Sequence, residues 1–294
     1  MTLAGSKRLG AKSDRHFFGE RAGRLNVIKT AAEVCPLCEG TGWKALPASS
    51  GAPRDRRVTR CDCQLRARNQ TLLAAARIPK RYEHCDFESY STDVGATPGQ
   101  TQSLKNAMNL TKGFVQNYPM SAEKGLLLTG TSGVGKTHLA VAALKELIAR
   151  GHVGLFCDYR ELLKEIQASY NPASESTEMG ILEPVRTVEI LVLDDLGASK
   201  PSAWVLDIIG LVLNARYNEK RVTILTTNYF DEPEGAPEAV KGPDGKRVVV
   251  REDTIADRIG ARMRSRLFEM CRTVNVDAPD FRREVRQSGR AGVR

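Results

Sequence analysis

The chain has 294 residues, 41% hydrophobic and 27% charged, close to the usual globular balance, so a collagen-like or wholly disordered chain is excluded. No apolar run approaches the roughly 20 residues that cross a bilayer, and the basic start MTLAGSKRLGAKSDRHFF has no apolar stretch behind it, so neither a membrane span nor a secretory signal is expected. The net charge of +9 is uneven: residues 1–80 hold sixteen Lys and Arg against six Asp and Glu, and the rest of the chain holds 28 against 29.

That asymmetry fits either a polyanion partner for the first quarter of the chain, nucleic acid foremost, or a solvated basic tail. The length leaves room for one large domain or two ordinary ones. Seven cysteines are an odd number in a long chain, which points to reduced thiols and a cytoplasmic protein.

In chain order, residues 1–30 are basic with weak apolar periodicity. Residues 35–63 hold Cys35 and Cys38 in CPLCEGTGW and Cys61 and Cys63 in CDC, a C-x2-C arm and a C-x-C arm. Four thiolates can close a tetrahedral Zn2+ site, and Gly40 and Gly42 permit a tight turn whose amides face sulfur. A structural zinc module is expected, with free or redox-active thiols as the alternative. No histidine or water-activating acid pairs with the cysteines, so an open catalytic zinc site is disfavoured. Residues 64–77 read as a helix stopped at Ile78-Pro79. Residues 91–103 read as a loop, and Leu104, Met108, Leu110, Phe114 and Val115 place a helical face over 104–118. A boundary is expected near residue 75, between an N-terminal region with the zinc module (1–75) and a catalytic domain (76–294).

From 125 onward, apolar runs alternate with helical segments. Strands are expected at 125–130, 153–158, 189–195, 221–228 and 271–277, and helices at 136–150, 160–170 and 202–219. Continuously apolar strands alternating with helices imply a parallel α/β sheet covered on both faces. GTSGVGKT, Gly130 to Thr137, follows the first of these strands and opens a helix, the order of a phosphate-binding loop. Gly130, Gly133 and Gly135 let the backbone amides of the loop, Thr131, Ser132 and Val134 included, curl toward phosphate, and the helix N-terminus adds partial positive charge. Lys136 would reach the β- and γ-phosphates, and the Thr137 hydroxyl would ligate Mg2+. ILVLDD then delivers Asp194 to a strand end as a second Mg2+ partner, and Asp195 to orient or deprotonate the attacking water. VTILTTN ends at Asn228, whose amide would stand near the γ-phosphate. Segment 231–253 reads as a surface insertion with a hairpin turn at Asp244-Gly245.

GTSGVGKTHLA, ILVLDDLG and ILTTNY, in this order and spacing, resemble the DnaC/DnaI/IstB group of AAA+ ATPases, over roughly residues 76–284. The resemblance implies an AAA+ P-loop NTPase sheet with a much-reduced lid, bound ATP and Mg2+, and Asn228 as first sensor of the γ-phosphate. It implies an arginine finger in ADRIGARMRSRLFEMC, best matched by Arg266 with Arg262 and Arg264 as rivals, that completes a neighbouring subunit's site and so implies self-association. Arg282, in PDFRRE, matches the second sensor. In the helix after the second strand, Lys164 and Tyr170 are candidates for single-stranded DNA. In DnaI-like loaders a metal-binding N-terminal part engages the helicase, whereas Arg54, Arg56, Arg57 and Arg60 with Trp43 favour nucleic acid; both remain open. The expected function is an ATPase that loads a hexameric replicative helicase onto DNA. The alternatives are an IstB-like transposition helper, and a zinc-dependent nucleic-acid-binding adaptor with little ATP turnover. Cys85, Cys157 and Cys271 look isolated, and His16, His84, His138 and His152 show no ligand spacing.

Overall fold

The structure, a computed structural model, describes residues 35–46, 58–120, 124–233, 238–241 and 247–285. The basic segment 1–30, Arg54, Arg56, Arg57, His16 and the Asp244-Gly245 turn lie outside the described residues.

Strands β1 (Trp43–Ala45) and β2 (Val58–Arg60) pair antiparallel, and α1 (Asp62–Ala75) follows at once. The carbonyl of Ala76 accepts from the amide of Phe156 at 2.7 Å, which ties the end of α1 to the sheet. Helix α2 (Pro98–Asn117) starts six residues before the expected face. Thr97 caps it by accepting from the Gln100 amide at 3.2 Å, and Pro98 occupies the first turn, where its missing N–H costs nothing. TPGQ reads as a turn by composition but acts as a helix start.

The central sheet has five parallel strands in the order β4, β5, β6, β3, β9: β3 (Gly125–Thr129), β4 (Gly154–Asp158), β5 (Ile190–Asp194), β6 (Val222–Thr227) and β9 (Cys271–Asn275). Both faces are covered over the inner strands, which explains the continuous apolar runs of β3, β5 and β6, whereas the edge strand β9 buries only Cys271 and Val274. Leu126, Leu128, Ile190, Val192 and Ile224 bury into one core with α2 and α3 (Lys136–Ala149). Leu127, Leu191, Leu193 and Leu225 bury into the other. That second core is closed by α4 (Tyr159–Ser169), α5 (Glu178–Thr187), α6 (Ala203–Asn218), α7 (Ile255–Ile259) and α8 (Ala261–Met270). Helix α5 has no counterpart in the sequence reading. Pro184 inside it masks the period, yet Leu182 and Val185 are buried and Thr177 caps it through the Gly180 amide.

Within the 231–253 insertion, β7 (Glu238–Lys241) and β8 (Arg247–Val250) pair antiparallel, with Lys241 opposite Arg247. The arginine-rich segment forms two short helices. Gly260 separates them at φ 85°, a left-handed value that suits glycine. No helix among the described residues is long and apolar enough to cross a membrane.

Candidate nucleotide site

The carboxyl ends of β3, β5 and β6 meet at one edge of the sheet, where open α/β sheets bind ligands. β3 ends at Thr129 and the loop Gly130–Gly135 curls back before Lys136 opens α3. Gly130, Gly133 and Gly135 hold φ of 148°, 84° and 99°, as the loop reading requires. Side chains on Gly130 or Gly133 would also collide with neighbours, the Val276 carbonyl and the Asp280 carboxylate respectively. Close approach therefore demands glycine there as much as backbone angle does.

Lys136 is almost wholly buried. Its ammonium donates to the carbonyls of Gly130 at 2.8 Å and Thr131 at 2.6 Å, and to Asn228 Oδ1 at 2.7 Å. None of these partners is a carboxylate. Burial pulls its pKa down to about 8, against the opposing pull of Asp195 and Asp194. The result is a desolvated cation held at a phosphate-shaped loop.

Asp194 is 2% exposed. Its Oδ1 accepts from the hydroxyls of Thr226 at 2.6 Å and Thr137 at 2.9 Å. Burial pushes its carboxyl up to about 6, the Thr226 hydrogen bond pulls it back, and the nearby Asp195 charge raises it further. Thr226 also accepts the amide of Asp195 at 2.9 Å, which fixes the turn that swings Asp195 away from the strand. Asp195 sits at φ 56°, an uncommon conformation for a residue with a side chain. Asn228 spans the site, since its Nδ2 lies 3.5 Å from Asp195 Oδ1 while its Oδ1 takes the lysine. Thr226 was missed in the sequence, where TTN drew attention only to its last residue. Its signal was a hydroxyl two residues before a polar strand end, on a strand buried throughout.

A cavity of about 960 Å3 opens over this cluster. Lys136, Thr137, Asp195, Asn228 and Arg282 line it at the loop, and Tyr82, Tyr90 and Phe281 supply aromatic walls. A nucleoside triphosphate with Mg2+ fits this donor set: curled amides and a buried ammonium for phosphate, and a hydroxyl–carboxylate pair for a hard cation. A second hollow of about 430 Å3 flanks Thr131 and Ser132, with Asn228, Glu232, Asp253 and Arg258 on its walls.

The candidate finger residues lie apart from this chain's own cavity. The Arg266 guanidinium rests over the Tyr217 ring at 5.2 Å, Arg264 pairs with Asp231 through both arms of its guanidinium, and Arg262 is exposed. Lys164 is ion-paired to Glu161 at 2.8 Å. Tyr170 is half exposed, with its hydroxyl on Glu178 and receiving Trp204 Nε1 at 3.0 Å.

The four cysteines converge. Cys35 and Cys61 sulfurs lie 3.7 Å apart, Cys38 and Cys63 sulfurs 3.5 Å, and all four fall within 4.8 Å of one another. A tetrahedron of Zn–S bonds near 2.3 Å has edges of about 3.8 Å, so the geometry fits zinc. Burial disfavours the Cys38 thiolate, but the amides at Gly42 and Gly40 and the neighbouring thiols outweigh it and bring the group down to about 7. The isolation expected for Cys85, His84 and His138 does not hold, because their donor atoms lie within 4.8 Å of one another beside the large cavity. His138 already spends Nε2 on the Asp86 carbonyl at 2.8 Å, and burial pushes the Cys85 thiol up to about 11. Sequence spacing hid the trio because α3 carries His138 to a distant loop. Cys271 is buried, as expected, and Cys157 partly so.

The family model for the IstB-like ATP binding protein matches residues 59–233. The replicative helicase loader DnaC of Buchnera aphidicola subsp. Schizaphis graminum is 28% identical over 159 residues, which is 54% of this chain and 61% of that protein. DnaC of Escherichia coli K12 is 27% identical over 147 residues, 50% of this chain and 56% of that one. The chain thus spans about three-fifths of the length of these curated relatives. A crystal structure of the DnaC helicase loader aligns with TM-score 0.52 and 28% identity, covering 68% of this chain and all of that one. A DnaI structure aligns with TM-score 0.51 and 25% identity, covering 68% and 95%. The parallel sheet with its phosphate loop, the match over more than half the sequence and these neighbours agree: the chain belongs to the IstB-like ATP-binding proteins and has the AAA+ fold of the DnaC/IstB type.

Proposed function

We propose that this protein hydrolyses ATP and uses the cycle to help load a hexameric replicative helicase onto DNA. The observation that carries the reading is the convergence of Lys136, Thr137 and Asn228 on one cavity edge, with Asp194 buried behind Thr137, in a chain similar to DnaC helicase loaders. Thr137 and Asp194 would hold Mg2+, which supplies charge neutralisation between the phosphates when bound. Lys136 exchanges its carbonyl partners for phosphate oxygens, a trade that favours the more charged acceptor. Asp195 orients water, and Asn228, released from the ammonium, donates toward the γ-phosphate. Catalysis is then mainly positioning and charge stabilisation. Arg282 reaches the same phosphates from the cavity wall, while Arg266 serves a second copy of the chain, so turnover needs self-association.

In this reading residues 1–75 are a basic N-terminal region whose cysteine segment, 35–63, holds zinc and serves docking, and 76–294 are the ATPase domain. Single-stranded DNA binds along α4, with Tyr170 offering a stacking face. ATPase rates with and without single-stranded DNA, for wild type and Lys136→Ala, test the motor. An unchanged rate in the variant leaves only the zinc-dependent adaptor. The family model favours a second reading, an IstB-like helper of transposition. A pull-down against the replicative helicase and a neighbouring transposase separates the two, and failure to retain helicase overturns the first.

A further inference from the structure

The segment after β9 is built against the phosphate loop. β9 runs beside β3 from Gly125 opposite Cys271 to Thr129 opposite Asn275, and the Val276 amide continues the ladder to the Thr129 carbonyl at 2.8 Å. The chain then crosses the loop itself. Gly130 faces the Val276 carbonyl, and Gly133 lies so close to Asp280 that no side chain fits between them. The Phe281 amide donates to the Gly133 carbonyl at 3.2 Å. The Asp280 carboxylate meanwhile accepts the Arg282 amide at 2.9 Å, and its carbonyl accepts the Arg283 amide at 3.1 Å, which starts the short turn Phe281–Val285. Arg282 is thereby delivered to the cavity wall.

Asp280 thus does two things with one carboxylate. It shapes the turn that presents Arg282, and it places a negative charge against backbone that would wrap a polyanion. Those roles conflict as soon as phosphate arrives, because like charges a few ångströms apart repel, and salt screens that repulsion at a partly exposed site. We propose that Asp280 is a positioning residue that ties Arg282 to the phosphate loop, so that a triphosphate in the loop strains the Asp280–Gly133 contact and resets Arg282; this rests on the cavity being the ATP site. Asp280 opposes binding and supports turnover. Its loss therefore moves affinity and rate in opposite senses, which a residue that only stabilises the fold would not do.

The test is ATP binding by calorimetry and steady-state hydrolysis on the full chain, with thermal melting as the control for folding. Asp280→Asn keeps an oxygen for the Arg282 amide and removes the charge. It is expected to bind ATP about three- to tenfold tighter than wild type at low salt, with the gap closing at high salt. Asp280→Ala also loses the acceptor, and its kcat is expected to fall about tenfold without a rise in KM. In an Arg282→Ala background, Asp280→Ala is expected to cost no further rate, since the two act as one unit. Unchanged affinity in Asp280→Asn, or a rate loss that persists additively without Arg282, overturns the inference. Wild-type protein that binds no ATP overturns the ATPase reading instead.

Discussion

Asp194 is the residue at which stability and activity are set against each other most directly. Its carboxylate is buried and has two hydroxyl donors but no cation among its hydrogen-bond partners. The rise from its ordinary value of 3.8 to about 6 corresponds to about 3 kcal/mol of destabilisation when the group is ionised. Part of that comes from the charge on Asp195, so Asp194→Asn should recover about 1–3 kcal/mol in the nucleotide-free protein at pH 7.5. The substitution keeps an oxygen for Thr137 and Thr226. The sign follows from linkage: between pH 4 and 6 the folded protein holds a proton on Asp194 that the unfolded chain has released. Wild-type stability therefore falls with rising pH across that window, whereas the variant lacks this slope. Urea denaturation at pH 4.5 and pH 7.5 reads the effect directly, and the variant's advantage should shrink toward zero at the lower pH. Saturating Mg-ATP should narrow or reverse the ranking, because it stabilises most the chain that binds it most tightly and the variant lacks a Mg2+ ligand, and the variant should not hydrolyse ATP. A variant no more stable than wild type at pH 7.5, or one whose advantage is the same at both pH values, refutes the argument that burial dominates this carboxyl.

Other expectations follow from neighbouring contacts. Thr226→Val removes the shorter of the two hydroxyl donors to Asp194, so the acid limb of the kcat/KM profile, which reports the nucleotide-free protein, should move upward; an unmoved limb assigns it to another group. Arg216 is fully buried and donates to Thr223 Oγ1 at 2.8 Å and to the carbonyls of Val185, Val188 and Val222. Arg216→Met leaves those carbonyls short of donors and should cost about 3–5 kcal/mol in urea denaturation, with a loss under 1 kcal/mol refuting it. Elemental analysis of purified protein should find one zinc per chain, and Cys38→Ser should release it; metal-free wild type would dismiss the module.

How much of this was legible without coordinates depended on whether a residue's role was local. Three of the parallel strands, β3, β4 and β5, showed in the sequence because each is short, apolar and followed by helix, and the phosphate loop because its glycines and lysine act within eight residues. The Asp194 and Asn228 positions were legible because a buried strand has a single polar way out, at its end. Roles that depend on contact between distant segments were silent. Thr226 matters because β6 lies beside β5. Asp280 matters because β9 emerges next to β3. Nothing in HCD or in GKTH says that His84, Cys85 and His138 would share one corner. Helix α5 was hidden for a different reason: Glu183 and Pro184 broke its apolar period, while its stability comes from Leu182 and Val185 packing into a core supplied by other elements.

The cysteine module and the phosphate loop are attached to opposite ends of one helix. α3 begins where Lys136 leaves the loop, and its fourteen residues carry it about 21 Å across the sheet. At its far end, Asn69 Nδ2 donates to the Ala149 carbonyl at 2.7 Å and Arg68 to the Gly151 carbonyl at 3.3 Å, both from α1, whose cap is the ligand-type residue Cys61. Those carbonyls form the negative end of the helix, so a cationic and an amide donor are well matched there. Along its length α3 is sealed into the core by Leu139, Leu144, Leu147 and Ile148, none more than 1% exposed. A helix packed this tightly does not bend at low cost. A force on the module therefore reaches the phosphate loop through movement of α3 as a body, or through the Ala76–Phe156 link to the sheet, and weakening the Asn69 contact is the smallest change that would uncouple the first route while leaving the second intact.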